Sequence, residues 1–459
     1  MSVTNTVTNK NKYYSFLPRF YRLATVNILS NMMVPLAGLC DTAFLGHLQE
    51  LKYLAGVILA SILFDYLYRI LKFLRNSANA MTAQAVGEED SEGILLAGLR
   101  SGLIAIATAL LILLLQYPIQ KLGFLILSGT QDIESAGVAY FNARIWGAPA
   151  VLLNFVLIGW FLGREKNGIV LLISAIANGS NVLLDYLMIS RWGWSSMGAG
   201  LATALSQYLA LLVGLIAVVV TINWQDLKQA LPQVLEFQAL QSAIALKANI
   251  LVRFLALISA YAIFTNLSAG MGTELLAENG LLLQIALLSQ FTIQGVGMTT
   301  QTLIGNFKGK GELTKLMPLM IAAIINSLPI ALMFALGCLF FPQTLFGLLT
   351  NHHEVHQGIT NYTIWLLPLL SFTAIAFMLE AYFIGLKAGA VLRNASLIAF
   401  FLVFLPVVTM AWYLNSIELL WLSLTVYMLS LVLYLSWQML KMQHNFLEQI
   451  KLTSCGVVE

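Results

Sequence analysis

Charged side chains are scarce in this chain. Of its 459 residues, about 10% are Lys, Arg, Asp or Glu, against roughly 25% in an ordinary soluble protein. A globule of this size needs more polar surface than that, and a disordered chain needs high charge and low hydrophobicity. The composition excludes both classes, so most of the hydrophobic residues, 59% of the chain, must face lipid.

The sequence also lacks the motifs of metal, nucleotide and disulfide chemistry. Cys40, Cys338 and Cys455 form no CxxC pair, so we expect free thiols. The histidines within 352–356 do not satisfy the H-E-x-x-H spacing, and an exposed loop is the better interpretation. A Walker A loop over 305–311 would need glycine one residue earlier, where isoleucine stands. We therefore expect no catalytic residues, no metal site, no ATPase motor and no organic cofactor.

Long apolar runs predict an all-α polytopic membrane protein. A helix that crosses a bilayer needs about 20 residues, and runs such as 101–115 do not alternate as the strands of a membrane β-barrel do. Charged or Gly/Pro-rich breaks divide the chain into twelve predicted transmembrane helices. They cover residues 23–46, 53–74, 94–115, 137–162, 168–190, 196–221, 246–268, 274–302, 316–338, 360–386, 391–413 and 417–440.

Basic residues predict the orientation of these spans. If the N-terminus is cytoplasmic, seventeen Lys and Arg lie in inside segments, Lys72 and Arg75 among them, and three lie outside. The positive-inside rule then places both termini in the cytoplasm, in a multi-pass protein of the cell inner (plasma) membrane. The net charge is +3, and the basic residues are scattered along the chain. We therefore expect no nucleic-acid partner. We expect the lipid bilayer and small-molecule substrates as partners, and a monomer.

The two halves of the chain repeat each other. Three patterns recur in the same order, 217 to 222 residues later: 81–85 at 298–302, 142–149 at 361–368, and 161–163 at 383–385. Six helices fit in this offset, so the repeats are parallel, a plan typical of secondary transporters with a cavity between the halves. The predicted organisation is an N-terminal six-helix lobe (1–221), a cytoplasmic linker (222–246), a C-terminal six-helix lobe (247–441) and a cytoplasmic tail (442–459).

Four acidic residues lie within the predicted spans: Asp41, Asp65, Asp185 and Glu380. A charged side chain at the centre of a span costs at least roughly 2.5 to 3.5 kcal/mol, so each should face a partner or a cavity. Burial favours the neutral form of a carboxylate, which can then exchange a proton near neutral pH. Carboxylate, amide and hydroxyl oxygens also suit Na⁺, so both ions fit this chemistry.

Two of these acids end a polar face of their helix. At about 100° per residue, the polar residues of the fifth span fall within an arc of about 60°, and those of the first span within about 80°. The fifth-span face comprises Ser174, Asn178, Asn181 and Asp185. The first-span face comprises Asn27, Asn31, Gly38 and Asp41. A hydrogen-bonded packing seam is the alternative, but a seam needs no acid. The faces predict a polar pocket for a proton or a small cation.

Other charged or kinked positions have structural interpretations. Asp65 and Arg69 are spaced i, i+4 in the order that favours an ion pair, so we expect them to pair. Pro35, six residues before Asp41, is a hinge candidate, although membrane helices also tolerate proline without such a role. Snorkelling to the interface is expected for Arg100, Arg144 and Arg253.

Several stretches resemble the multidrug and toxic compound extrusion (MATE) transporters, specifically the DinF branch. The resemblance lies in residues 35–48, 73–75 with 82–85, 144–150 and 159–163, and extends over essentially the whole chain. It implies a MATE-like fold, in which two six-helix lobes form a V and exchange an organic compound for inward-moving H⁺ or Na⁺. The resemblance also assigns the first-lobe ion site to Asp41, Asn154, Asn181, Asp185 and Thr203.

A second candidate site is also implied. The tenth-span acid of the family corresponds to Glu380, while Asp65 and Arg69 stand where the family has Asn and an aromatic residue. We therefore predict an antiporter that exports organic, cationic or amphiphilic compounds, with Asp41 and Asp185 alternately holding and releasing the coupling ion. The alternative within the superfamily is a flippase of lipid-linked or amphiphilic molecules. An ion channel is a different class, which would not need the duplication.

Overall fold

The structure, a computed structural model, describes residues 14–46, 50–127, 130–342, 345 and 359–455. Side chains are described for these residues except 36, 37, 39–43, 46, 51, 126, 273 and 445–455. Across the described ranges the chain forms helices and contains no strand. The predicted all-α class is therefore confirmed.

The helices are numbered α1 to α17 in chain order. In the first half they are α1 Leu17–Gly46, α2 Leu51–Leu71, α3 Phe73–Gly87, α4 Ser91–Leu114, α5 Gln116–Ile126, α6 Gln131–Arg144, α7 Ala148–Gly163, α8 Asn167–Asp185, α9 Ser195–Thr221 and α10 Trp224–Ala230. In the second half they are α11 Phe237–Met271, α12 Thr273–Gly309, α13 Leu316–Phe340, α14 Leu366–Gly385, α15 Gly389–Ile398, α16 Leu405–Leu414 and α17 Ile417–Cys455.

Eleven helical segments of the described chain are long and apolar enough to cross a membrane. With α1, a helix of 30 residues, the prediction of twelve helices is confirmed. One boundary differs clearly from the prediction. The second span does not end near residue 74, because Lys72 keeps helical backbone angles and α2 runs directly into α3. The segment therefore stays helical from Lys52 to Gly87.

The chain forms two compact units. The N-terminal unit is Thr25–Lys247, and the C-terminal unit combines Met1–Ala24 with Ala248–Glu459. The first turns of α1 thus belong to the C-terminal unit, where Arg19 Nη2 donates to Asn306 Oδ1 over 3.1 Å. Within 222–246, the chain forms α10 and the beginning of α11. In the N-terminal unit, the buried guanidinium of Arg100 donates to the carbonyl oxygens of Gln233 (2.7 Å) and Val234 (3.3 Å).

The repeated patterns occupy equivalent helix crossings in the two units. Within the N-terminal unit α3 packs along α7, and within the C-terminal unit α12 packs along α14. A Cβ at Gly163, the last residue of α7, would lie 2.9 Å from the backbone oxygen of Asn79. A Cβ at Gly385, the last residue of α14, would lie 2.7 Å from the backbone oxygen of Gln301. The Phe-Xaa-Gly patterns therefore end in glycine because the backbones approach too closely for a side chain.

A second repeated pattern marks a break in the helix that leads to each crossing. The Ile-Trp pair of the first half lies in a 3₁₀ turn, Ile145–Gly147, between α6 and α7. The Ile-Trp pair of the second half lies in the 3₁₀ turn Thr363–Trp365, which precedes α14. Both pairs are followed by a proline near the start of the next helix, a position where the missing backbone N–H is not needed.

Candidate functional site

The polar face of α8 ends in a buried carboxylate. Asp185 is fully buried and Asn181 is 6% exposed, one helical turn apart. Asn181 Nδ2 donates to Asp185 Oδ2 over 3.1 Å. Since a buried acid in a membrane span is costly unless it is hydrogen-bonded or paired, this bond indicates a carboxylate held in a fixed orientation. The structure therefore brings these two predicted site residues together.

A π-helical turn, Tyr186–Arg191, follows Asp185 directly. Single π turns inside α-helices are rare and frequently occur at functional sites. Arg191 Nε donates to the hydroxyl of Tyr186 over 2.9 Å. Beyond the turn, the indole rings of Trp192 and Trp194 lie 5.1 Å apart, and both are exposed. The acid thus lies where the regular helix of the fifth span ends.

Two other predicted polar residues bond to their own helices. Asn178 Nδ2 donates to the backbone oxygen of Ser174 over 2.7 Å, and Thr203 Oγ1 donates to the backbone oxygen of Ala199 over 2.9 Å. Both side chains are half-buried. Each donates one bond to its own helix, and its side-chain oxygen can still accept a bond.

Asn154 joins two helices of the N-terminal unit. Its Nδ2 donates to the backbone oxygen of Gln207 (2.9 Å) and to Gln207 Oε1 (3.1 Å), which connects α7 to α9. The side chain is 3% exposed, and its Oδ1 is buried with no hydrogen-bond partner among the described residues. A buried oxygen of this kind can accept a hydrogen bond from a proton donor or ligate a hard cation.

The first-span polar face is tied to two neighbouring helices. Asn167 Nδ2, at the start of α8, donates to Asn27 Oδ1 over 3.1 Å. Arg75 Nη1 and Nη2 both donate to Asn31 Oδ1, each over 3.2 Å. Arg75 was predicted to lie in an inside segment, but it lies in α3. Its partner lies 44 residues earlier, so local charge counting gives no signal for this contact.

Asp41 and Pro35 both lie in α1. The helix continues through Pro35. The side chain of Asp41 falls outside the described part of the structure, so its contacts stay a prediction. The histidines within 352–356 also lie outside the described residues. Among the residues that are described, no three His, Cys, Asp or Glu side chains are grouped to hold a metal ion, and Cys338 is a buried free thiol.

The expected ion pair on α2 is not formed. Within the described residues, the salt bridges do not include Asp65 with Arg69. Asp65 is exposed at the surface of its helix, where a favourable i, i+4 spacing contributes only a few tenths of a kcal/mol. The pairing prediction was therefore wrong.

The arginines expected to snorkel are instead engaged inside the two units. In the N-terminal unit, Arg144 Nη1 donates to the Tyr140 hydroxyl over 2.6 Å, and its guanidinium carbon lies 4.6 Å from the ring centre of Phe64. In the C-terminal unit, Arg253 Nε donates to Glu380 Oε1 over 2.7 Å. The snorkelling prediction failed because spacing along one span gives no information on partners from other spans.

A family model and the sequences of known proteins both resemble this chain, and the two comparisons agree. A family model described as MatE matches the chain twice, over residues 27–187 and 250–410. DNA damage-inducible protein F of Escherichia coli (strain K12) is 29% identical over 408 residues, which are 89% of this chain and 88% of that protein. The probable multidrug resistance protein NorM of Thermotoga maritima is 23% identical over 356 residues, 73% of this chain and 72% of that protein.

A solved structure shows the same fold. It is described as the outward-facing conformation of a multidrug resistance MATE family transporter of the MOP superfamily, and the TM-score is 0.84 at 18% identity. The match covers 93% of this chain and 96% of that chain. Together with the double match of the family model, it confirms the predicted fold of twelve helices in two repeats.

Proposed function

Because the chain belongs to the MatE family of membrane transporters, we propose that it is a secondary active exporter that exchanges an organic compound for inward-moving H⁺ or Na⁺. The observation that carries the proposal is the Asn181–Asp185 pair, a buried carboxylate with an oriented amide in a membrane span. Its chemistry suits reversible binding of a proton or a hard cation.

The Asn27–Asn167 hydrogen bond supports a role for Asp41 at the same site. Asp41 lies 14 residues beyond Asn27, and Asn181 lies 14 residues beyond Asn167. At 1.5 Å per residue, both are about 21 Å further along helices that we expect to run parallel, as the first and fifth spans. The Asn27–Asn167 bond therefore favours the same depth in the membrane for Asp41 and Asn181. Each lies on a polar face that begins at one of the two bonded asparagines.

The name of one relative and the carboxylate of the site support a proposal for the substrate class. The relative from Thermotoga maritima carries the name probable multidrug resistance protein NorM. We propose cationic or amphiphilic organic substrates, which bind when the carboxylates of the site are ionised and leave when an ion replaces them. In this scheme the two repeats are the moving lobes of an alternating-access cycle, in the inner membrane with both termini cytoplasmic.

Proteoliposomes with an imposed pH or Na⁺ gradient test the proposal. Asp185→Asn keeps the shape of the side chain and an acceptor for Asn181, but removes the charge. We expect ion-driven export to be lost while the protein remains folded in the membrane. Asp132→Asn, which neutralises an exposed acid in the first turn of α6, is the matched control and should transport normally. Wild-type gradient-driven export by Asp185→Asn refutes the proposal.

A further inference from the structure

The C-terminal unit contains a buried ion pair. Arg253 on α11 and Glu380 on α14 are 5% and 4% exposed. Arg253 Nε donates to Glu380 Oε1 over 2.7 Å, and Nη2 donates to Oε2. The guanidinium carbon also lies 4.6 Å from the ring centre of Phe254 and 5.4 Å from that of Phe377. Both carboxylate oxygens are therefore bonded to one fixed cation.

Two tyrosines of the described chain lie near this pair. Tyr427 on α17 interacts electrostatically with Arg253, with Glu380 and with Tyr261. The hydroxyl of Tyr261 accepts a bond from Gln290 Nε2 over 2.7 Å. Both hydroxyls are neutral near physiological pH. Arg253 therefore supplies the positive charge that balances Glu380.

An added ion at Glu380 would meet a large penalty. A proton or Na⁺ on the carboxylate would have to displace the guanidinium, which keeps its charge at every accessible pH. The displaced arginine would then be buried without a counter-charge, and an unpaired buried charge is strongly destabilising. In the N-terminal unit, by contrast, Asp185 accepts a hydrogen bond from an uncharged group, the amide of Asn181.

We propose that Arg253 is a tethered counter-cation that occupies the place of a mobile ion at Glu380 and so confines ion binding to the N-terminal unit. This inference rests on the proposed function and deepens it. Arg253 is then a specificity-determining residue, because it decides which of the two repeats responds to the ion. Its removal should convert Glu380 into a second ion site.

Thermal unfolding of the purified full-length protein tests this without any transport measurement. We compare wild type, Arg253→Met and the double variant Arg253→Met/Glu380→Gln, each at high pH in choline chloride and then in NaCl or at low pH. Arg253→Met should lower the unfolding temperature by about 5 °C or more. Na⁺ or protons should restore much of that loss, because they replace the missing charge.

The double variant separates this explanation from a folding defect. With both charges gone, it should unfold near the wild-type temperature. Na⁺ or protons should raise its unfolding temperature no more than they raise that of wild type. Arg253→Lys, which keeps the charge without the two-bond geometry, should lie between wild type and Arg253→Met. A folded Arg253→Met protein with only the wild-type ion response overturns the inference. So does a wild-type ion response that the double variant abolishes.

Adding Asp185→Asn to this series distinguishes failure of the inference from failure of the proposed function. An ion response of the wild-type protein should be lost in Asp185→Asn and retained in the double variant. If the wild type shows no ion response while Arg253→Met does, the ion site proposed in the N-terminal unit fails and the tethered cation remains supported. If neither responds, the tethered cation fails as well.

Discussion

The glycine at each repeated helix crossing predicts a measurable stability difference. A Cβ at Gly385 would lie 2.7 Å from the backbone oxygen of Gln301 and 2.9 Å from the Cβ of Ile304. Carbon atoms pack best at about 3.5 to 4.0 Å. Because the close neighbours are backbone and Cβ atoms, the conflict is relieved only by moving α12 and α14 apart. Gly385→Ala therefore acts on the whole crossing.

The magnitude follows from overpacking, which costs about 1 to 3 kcal/mol in a well-packed interior. For a unit of roughly 200 residues, each kcal/mol lowers the unfolding temperature by about 2 to 4 °C. Gly385→Ala should therefore unfold about 2 to 12 °C below wild type. Gly163→Ala, at the equivalent crossing of the N-terminal unit, should fall in the same range, since its Cβ would lie 2.9 Å from two backbone atoms.

Two other glycines provide matched controls. Gly102 in α4 and Gly280 in α12 have nothing within 4 Å of an added Cβ. Alanine at either position should be neutral or stabilising by up to about 1 kcal/mol, because glycine is a poor helix former. Scanning fluorimetry in detergent at one fixed scan rate measures all four variants, since the unfolding rate affects the apparent temperature. The reasoning is refuted if Gly385→Ala and Gly280→Ala shift the unfolding temperature equally.

Two further predictions concern hydrogen bonds within single units. Arg100→Ala removes the donors that hold the carbonyl oxygens of Gln233 and its neighbour, so limited proteolysis should cleave this segment severalfold faster; unchanged cleavage would contradict the role given to Arg100. Asn279→Leu removes the acceptor of the Trp421 indole N–H and should cost about 1 to 3 kcal/mol in thermal unfolding. Among the described residues, the Asn326 amide donates to the backbone of its own helix. Asn326→Leu should therefore cost less, and the reverse order would argue against an interhelical bridge.

The repeats and most spans were predictable because their signals are local. The sixth predicted span, 196–221, matches α9 at Ser195–Thr221 within one residue. The Asn181–Asp185 contact could equally be predicted from the sequence, since residues four apart on a helix face the same side. Composition and helical periodicity are sufficient for features of this kind.

Contacts between distant spans were not predictable from such signals. Arg75 pairs with a residue 44 positions away, and Arg253 with one 127 positions away. A basic residue near the predicted end of a span has the same local pattern whether it faces water or a buried acceptor. The ion pair expected between Asp65 and Arg69 failed for the opposite reason, because favourable spacing on an exposed surface does not enforce a contact.

The paired indoles beyond Asp185 provide an optical signal. Trp192 and Trp194 are 54% and 41% exposed, and their backbone N–H groups bond to the carbonyl oxygens of Leu187 and Met188 in the π turn. A rearrangement of that turn changes the solvent around both rings, and indole emission depends on its solvent. The chain has nine tryptophans, so subtracting the emission of Trp192→Phe isolates this contribution. The protein thereby carries a dye-free fluorescence probe on the segment next to Asp185.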